Sequence, residues 1–218
     1  MANGELSSTE AWESIDDEMD LIHLDSIMDE MFIQAEILGY KYLVLATMDR
    51  KLLRTRAGID HIVSAMTKAG DSCHQRGLRF AFHAHLAEFG HIDRTRAIDR
   101  ILQATNPDRV FVELDFFWAA AAGVDVPRWL EKHSGRIHLG HVKDMAKSVN
   151  IPANGFRELT QLTGDPYEDI GYGQLDYRTW LPLAQKAGMR HFFVECDNAP
   201  RPLENAARSF PNLELLLT

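Results

Sequence analysis

Arg136-Ile137-His138-Leu139-Gly140-His141-Val142-Lys143-Asp144 is a short apolar run that stops in a histidine, a lysine and an aspartate. Side chains of a buried strand alternate between two faces, so His141 and Lys143 emerge on one side and Val142 on the other. His138 points away from His141 and reads as structural. Three further stretches share the design. Arg79-Phe80-Ala81-Phe82-His83-Ala84-His85 ends in a same-face histidine pair. Val110-Phe111-Val112-Glu113-Leu114-Asp115 and His191-Phe192-Phe193-Val194-Glu195-Cys196-Asp197 each end in a same-face carboxylate pair. One charged strand end is ordinary, because every strand surfaces somewhere. Four of them, each with ionisable residues at i and i+2 where the apolar run fails, point to a common rim, since parallel strands that gather their C-terminal ends keep their active sites there.

Between these strands the pattern is helical. Ile27, Met28, Met31, Ile33, Ala35 and Leu38 recur at three- and four-residue spacing within a helix expected from about Trp12 to Leu38, which Gly39 stops. Tyr42 to Ala46 reads as a buried strand. Ile59, Ile62, Val63, Met66 and Ala69 give one face of a second helix ending at Gly77. A third is expected from about Asp93 to Ala104, with Ile98, Ile101 and Leu102 inward, and a short one from Pro127 to Lys132. Asn150 to Gln174, rich in Gly and Pro, is a long loop of the kind that serves as a lid or binding segment. Tyr177 to Ala187 is helical again, and Arg201 to Leu217 closes as a helix broken near Pro211. About five strands alternate with helical crossovers, which requires a parallel sheet with helices outside, an α/β fold. Residues 1–10 are expected to fray, and the remainder, 11–218, to form one domain.

The bulk properties narrow the function. The chain has 218 residues, 45% hydrophobic and 25% charged, enough for a substantial core. A formal net charge of -9 argues against nucleic acid or an anionic membrane as partner. Cys73 and Cys196 show no paired spacing and read as reduced core residues. The first residues are acidic, the wrong chemistry for a secretory or transit peptide. No apolar run approaches the ~20 residues that span a bilayer, so the expected location is the cytoplasm.

Five motifs in register carry a resemblance: Gly77 to His85 with Glu88-Phe89, Glu113 to Trp118, Gly135-Arg136-Ile137 with His141 to Asp144, Gly171 to Asp176, and Val194 to Asp197. From about residue 30 to the end, the chain resembles the sugar phosphate isomerase/epimerase group of xylose-isomerase-like (AP endonuclease 2-like) TIM barrels. That resemblance implies a (β/α) barrel, here incomplete, with about five strands and without the first three of the usual eight. It also implies a divalent metal, Mn, Mg, Co or Zn, with Asp115, His141 and Glu195 on ligand positions and Glu88 as the fourth. One departure is Ala84, where the group usually has asparagine. The strands lacking here leave an exposed edge, so a homo-oligomer is expected.

The implied chemistry is removal of a proton next to a carbonyl of a sugar or sugar derivative. Glu195 with Glu88, or with a histidine of the His83/His85 pair, would carry acid/base work, while Lys143 steadies an enolate oxygen. Trp118, His85, Lys143 and Asp197 would bind substrate. Each residue has a plainer reading. His83 and His85 could be hydrogen-bonded core histidines, and Trp118 a lid on the core rather than a stacking face. Glu113 fits a bond to a basic neighbour better than metal ligation, and Asp197 could orient a neighbour or accept from substrate hydroxyls. His23, His61, His74, His91, His133 and His191 read as surface or helix-packing residues. Isomerase or epimerase is the leading expectation. The alternatives are a lyase or dehydratase acting on a keto-inositol or keto-glycoside, and a non-catalytic sugar-binding or partner subunit.

Overall fold

The computed structural model describes residues 24–218. The expected frayed terminus and the beginning of the first helix at Trp12 lie outside the described residues. The described residues divide into two compact units, one of residues 24–84 with Gly90–Val112 and one of His85–Phe89 with Glu113–Thr218.

In the first unit, α1 (Leu24–Leu38) ends as Gly39 takes a φ of +73° and donates to the carbonyl of Ala35. Its buried stripe is Met28, Met31, Phe32 and Ala35, an i, i+3, i+4, i+7 set. Ile33 and Leu38, expected on that stripe, fall off it and are exposed. Next come β1 (Tyr42–Leu45), a 3-10 turn at Leu52–Arg54, and α2 (Arg56–Gln75). Thr55 caps α2 by accepting from the N–H of Gly58 at 3.0 Å. Ile59, Ile62, Met66, Ala69 and Cys73 form its inner face. Strand β2 (Arg79–Ala84) pairs in parallel with β1, Tyr42 against Arg79 through Leu45 against Phe82.

The helix expected from Asp93 begins later. Strands β3 (His91–Ile92) and β4 (Thr95–Arg96) form an antiparallel hairpin first, and α3 spans Ala97–Ala104. Asp93 sits in the turn with φ +58°, a conformation Asp tolerates better than most residues. Arg56 at 2.7 Å and Arg100 at 3.2 Å hold its carboxylate.

Strand β5 (Val110–Asp115) starts in the first unit and ends in the second. It passes straight into α4 (Phe116–Ala121), followed by α5 (Val126–Lys132), which Asp125 caps with Pro127 in its first turn. Then come β6 (Ile137–Val142), β7 (Asp144–Met145), β8 (Tyr167–Glu168), α6 (Tyr177–Ala187), β9 (His191–Val194) and α7 (Pro202–Leu217). The expected long loop thus contains a small antiparallel pair, β7 with β8. Cys196, expected in a buried strand, lies beyond the end of β9 and is half-buried, while Cys73 is buried in α2; both are free thiols.

The break expected at Pro211 is absent, and α7 runs through it. A proline removes one i to i−4 bond. Tertiary anchors on either side hold the helix together: Ser209 accepts from the N–H of Ile170 at 3.1 Å, Asn212 donates to the Ile170 carbonyl at 2.7 Å, and Leu213 is buried.

The long strands follow the order β1-β2-β5-β6-β9, with β6 and β9 parallel like β1 and β2. Five agree with the expected count and are fewer than the eight that close a barrel. Among the described residues no helix is long and apolar enough to cross a membrane.

Candidate active site

The second unit gathers most of the predicted site residues. Asp115 closes β5, and its Oδ1 accepts from the N–H of Trp118 at 3.2 Å as the cap of α4. His141 is the last but one residue of β6, with Lys143 just beyond. The register of β6 and β9 pairs His141 with Phe193 and Val142 with Val194, so the next residues out, Lys143 and Glu195, emerge side by side. The N–H of Glu195 donates to the Val142 carbonyl at 3.2 Å, continuing the ladder one residue past the strand.

These backbone positions set the side-chain geometry. His141 Nδ1 lies 2.8 Å from Glu195 Oε2, and its Nε2 lies 3.6 Å from Glu113 Oε2. Lys143 Nζ lies 2.8 Å from Glu195 Oε2, 2.9 Å from Asp197 Oδ2 and 3.3 Å from Asp115 Oδ2. The side chain of Lys143 is 2% exposed and that of Asp115 fully buried. Its ammonium stands 5.7 Å from the ring centres of Trp118 and Tyr167 and 6.0 Å from that of Phe117, within cation–π range.

Electrostatics bind the cluster together. Burial opposes charge on His141, but the hydrogen bond to Glu195 and the charges of Glu113, Glu195 and Asp115 outweigh it and lift the imidazole to about 9. Burial likewise opposes ionisation of Glu195, yet His141 and Lys143 hold its carboxyl far below the usual range. For Glu113 and Asp115 burial dominates and raises both carboxyls, against His141 and Lys143 respectively. Glu113 thus has the basic neighbour expected of it.

Asp115 and His141 present ligand atoms within 4.8 Å of each other, and Glu195 shares its oxygen with the same imidazole. The buried Asp115 carboxylate and the His141 imidazole are donors that fit a hard or borderline divalent cation, and the partly exposed Glu195 carboxylate adjoins the same imidazole. Glu88, expected as the fourth ligand, is buried and its Oε2 accepts from the N–H of His85 at 2.9 Å. The ring of His85 meets the buried Trp118 edge-on at 6.3 Å. His83 belongs to the first unit, buried at the end of β2.

Three residues were given no role from the sequence. Tyr177 brackets Lys143: its hydroxyl accepts from the Lys143 N–H at 3.1 Å and donates to the Lys143 carbonyl at 2.7 Å. Tyr167 hydrogen-bonds to Asp197, and burial together with that contact raises its phenol well above the usual range. Asp144 accepts four backbone N–H groups, from Met145 and Leu175 on Oδ1 and from Gly171 and Gly173 on Oδ2, at 2.8 to 3.2 Å. Gly173 is required there, because a Cβ would lie 2.2 Å from Asp144 Oδ1. The only sequence signal was that the Asp144 and Gly171-to-Asp176 motifs both belong to the family pattern.

A family model described as xylose isomerase-like TIM barrel matches residues 14–213. The chain belongs to this family. Among curated proteins, an inosose dehydratase from Geobacillus thermodenitrificans is 27% identical over 170 residues, covering 74% of this chain and 55% of that protein. The chain therefore spans about half the length of the curated relatives it matches. Two solved structures share the fold. A sugar phosphate isomerase/epimerase from Parabacteroides distasonis superimposes with a TM-score of 0.71 at 20% identity, over 92% of this chain and 66% of that one. The IOLI protein with a bound zinc atom does so with 0.68 at 19% identity, over 92% and 72%.

Proposed function

We propose that this xylose isomerase-like chain is a divalent-metal-dependent enzyme that removes a proton next to a carbonyl of a sugar or sugar derivative. The observation that carries the reading is the meeting of Asp115, His141, Glu195 and Lys143 at the ends of three strands. Asp115, His141 and Glu195 would hold the ion, with Glu88 as the proposed fourth ligand. Bound there, a divalent cation supplies Lewis acidity to the sugar's oxygens and acidifies the neighbouring C–H.

The chain's own residues do the rest. A base drawn from Glu195, Glu88, His83 or His85 accepts the proton while the C–H electron pair forms the enolate C=C bond and the carbonyl π pair moves onto oxygen, where the Lys143 ammonium steadies it. Such proton transfer contributes typically ~10²–10⁴-fold. Asp197 and Tyr167 keep the ammonium in place, and Trp118 and His85 face the sugar. Returning the proton to the other carbon or the other face gives isomerisation or epimerisation. Expelling a neighbouring hydroxyl as water gives a dehydratase, and the likeness to an inosose dehydratase supports that second reading about as well.

Metal-loaded protein incubated with candidate keto sugars in deuterated water tests the proposal. Deuterium at the carbon next to the carbonyl, without loss of water, is expected of an isomerase; an unsaturated product is expected of a dehydratase. Absence of exchange with every keto sugar and keto-inositol tried would leave only a sugar-binding or partner subunit.

The proposal extends to the setting. Two free thiols fit a reducing cytoplasm, and the acidic chain is poorly suited to nucleic acid or anionic membranes. Strands β1 and β9 end the sheet among the described residues, and exposed strand edges invite association. Sizing chromatography is expected to give the mass of a homodimer or larger assembly, and a monomer peak would refute the oligomer.

A further inference from the structure

Lys143 is the unusual member of the cluster. An ammonium has three N–H donors; this one hydrogen-bonds to Asp197 and Glu195 and stands in ion-pair contact, at 3.3 Å, with Asp115. Two of those carboxylates, Asp115 and Glu195, are residues given above to the metal. The third, Asp197, is not. Glu195 Oε2 is moreover the atom that His141 Nδ1 also contacts, so the ammonium and the ion draw on the same oxygen.

Escape to solvent is closed. The lysine backbone is clamped on both sides by the Tyr177 hydroxyl, and the ammonium is walled by Phe117, Trp118 and Tyr167. We propose that Lys143 is a built-in counter-ion that competes with the divalent metal for Asp115 and Glu195, and that Asp197 is the partner that retains the ammonium when those two carboxylates turn to the ion. Tyr167, hydrogen-bonded to Asp197, is the positioning residue that keeps this third partner in place. The inference rests on the metal reading given above.

Two consequences follow from the competition. Without metal, the buried carboxylates are already neutralised, so the site folds without an ion. The cost falls on affinity, because two like charges must share one pocket. Removing the ammonium reverses both effects: buried carboxylates left uncompensated destabilise a fold strongly, and the ion loses its competitor.

The test uses full-length protein stripped of metal, titrated with Mn²⁺ and with Zn²⁺ by calorimetry and followed by thermal unfolding. Lys143→Met is expected to melt roughly 10 °C below wild type without metal. It is also expected to bind the ion at least tenfold more tightly and to gain more in melting temperature on loading than wild type does. Asp197→Asn moves the other way: an ammonium deprived of its third partner stays with Asp115 and Glu195, and the ion binds several-fold more weakly. Wild type that binds while Lys143→Met binds no more tightly overturns the inference and leaves the metal reading standing. If neither chain binds an ion, the metal reading fails and the inference with it. Should Lys143→Met fail to fold even with metal, Asp197→Asn decides, and affinity equal to wild type overturns the proposal.

Discussion

Replacing Asp115 by alanine is expected to reduce bound metal, measured by elemental analysis after dialysis, from stoichiometric to background. Proton exchange should fall with it by at least ~10²-fold. The carboxylate is fully buried beside His141 and Lys143, so no solvent-exposed group can take its place. The same residue caps α4 through the Trp118 N–H, and loss of a cap costs about 1 kcal/mol by itself. Asp115→Asn separates the two roles. Its amide oxygen keeps the cap while the ligand charge is gone, so the fold should hold and the metal should not. His141→Ala should match the metal loss without touching the cap. Full metal content in either Asp115→Ala or His141→Ala would refute the ligand assignment.

Asp144→Ala should produce the largest loss of stability of any single change near the site. Its carboxylate is the acceptor for the N–H groups of Met145, Gly171, Gly173 and Leu175. Each buried donor left without a partner costs about 1–3 kcal/mol. Some re-entry of water is expected, and a total of about 3–5 kcal/mol follows from the same range. Urea unfolding would report this directly. Because Lys143 adjoins Asp144, the variant should also lose exchange activity under conditions where it remains folded. Asp144→Asn should be nearly as damaging, since only one of its two side-chain heavy atoms can accept. An unchanged unfolding midpoint for Asp144→Ala would show that the four bonds contribute little.

Much of the fold was legible because its strands are apolar until they end. The runs before Asp115, His141 and Glu195 announce buried strands, and the ionisable residues beyond them announce a rim. Helices with a clean stripe, such as Ile59, Ile62, Met66 and Ala69, were equally plain. Phe116 to Ala121 was not, because a six-residue helix buried all round has no polar face to give its period away. The hairpin before α3 was hidden by a turn that depends on Asp93 adopting a positive φ under the hold of Arg56 and Arg100. Pro211 misled because the anchors that carry α7 through it come from Ile170, far away in sequence.

At the site, residues at the ends of the long strands were found, while the roles of those on the two-residue strands β7 and β8 and at the start of α6 were missed. Tyr167 reaches Asp197 from a two-residue strand that no alternation could reveal. The partners of Asp144 are backbone groups, which carry no compositional trace.

The direct passage of β5 into α4 limits how the protein can change over evolutionary time. Asp115 is at once the last residue of the strand and the cap of the helix, so an insertion there would uncouple its carboxylate from the His141–Lys143 cluster. Residues 157–161 are exposed, within a segment whose far end is pinned through Asp144. Length variation is therefore tolerated in that segment, while the junction at Asp115 stays without slack.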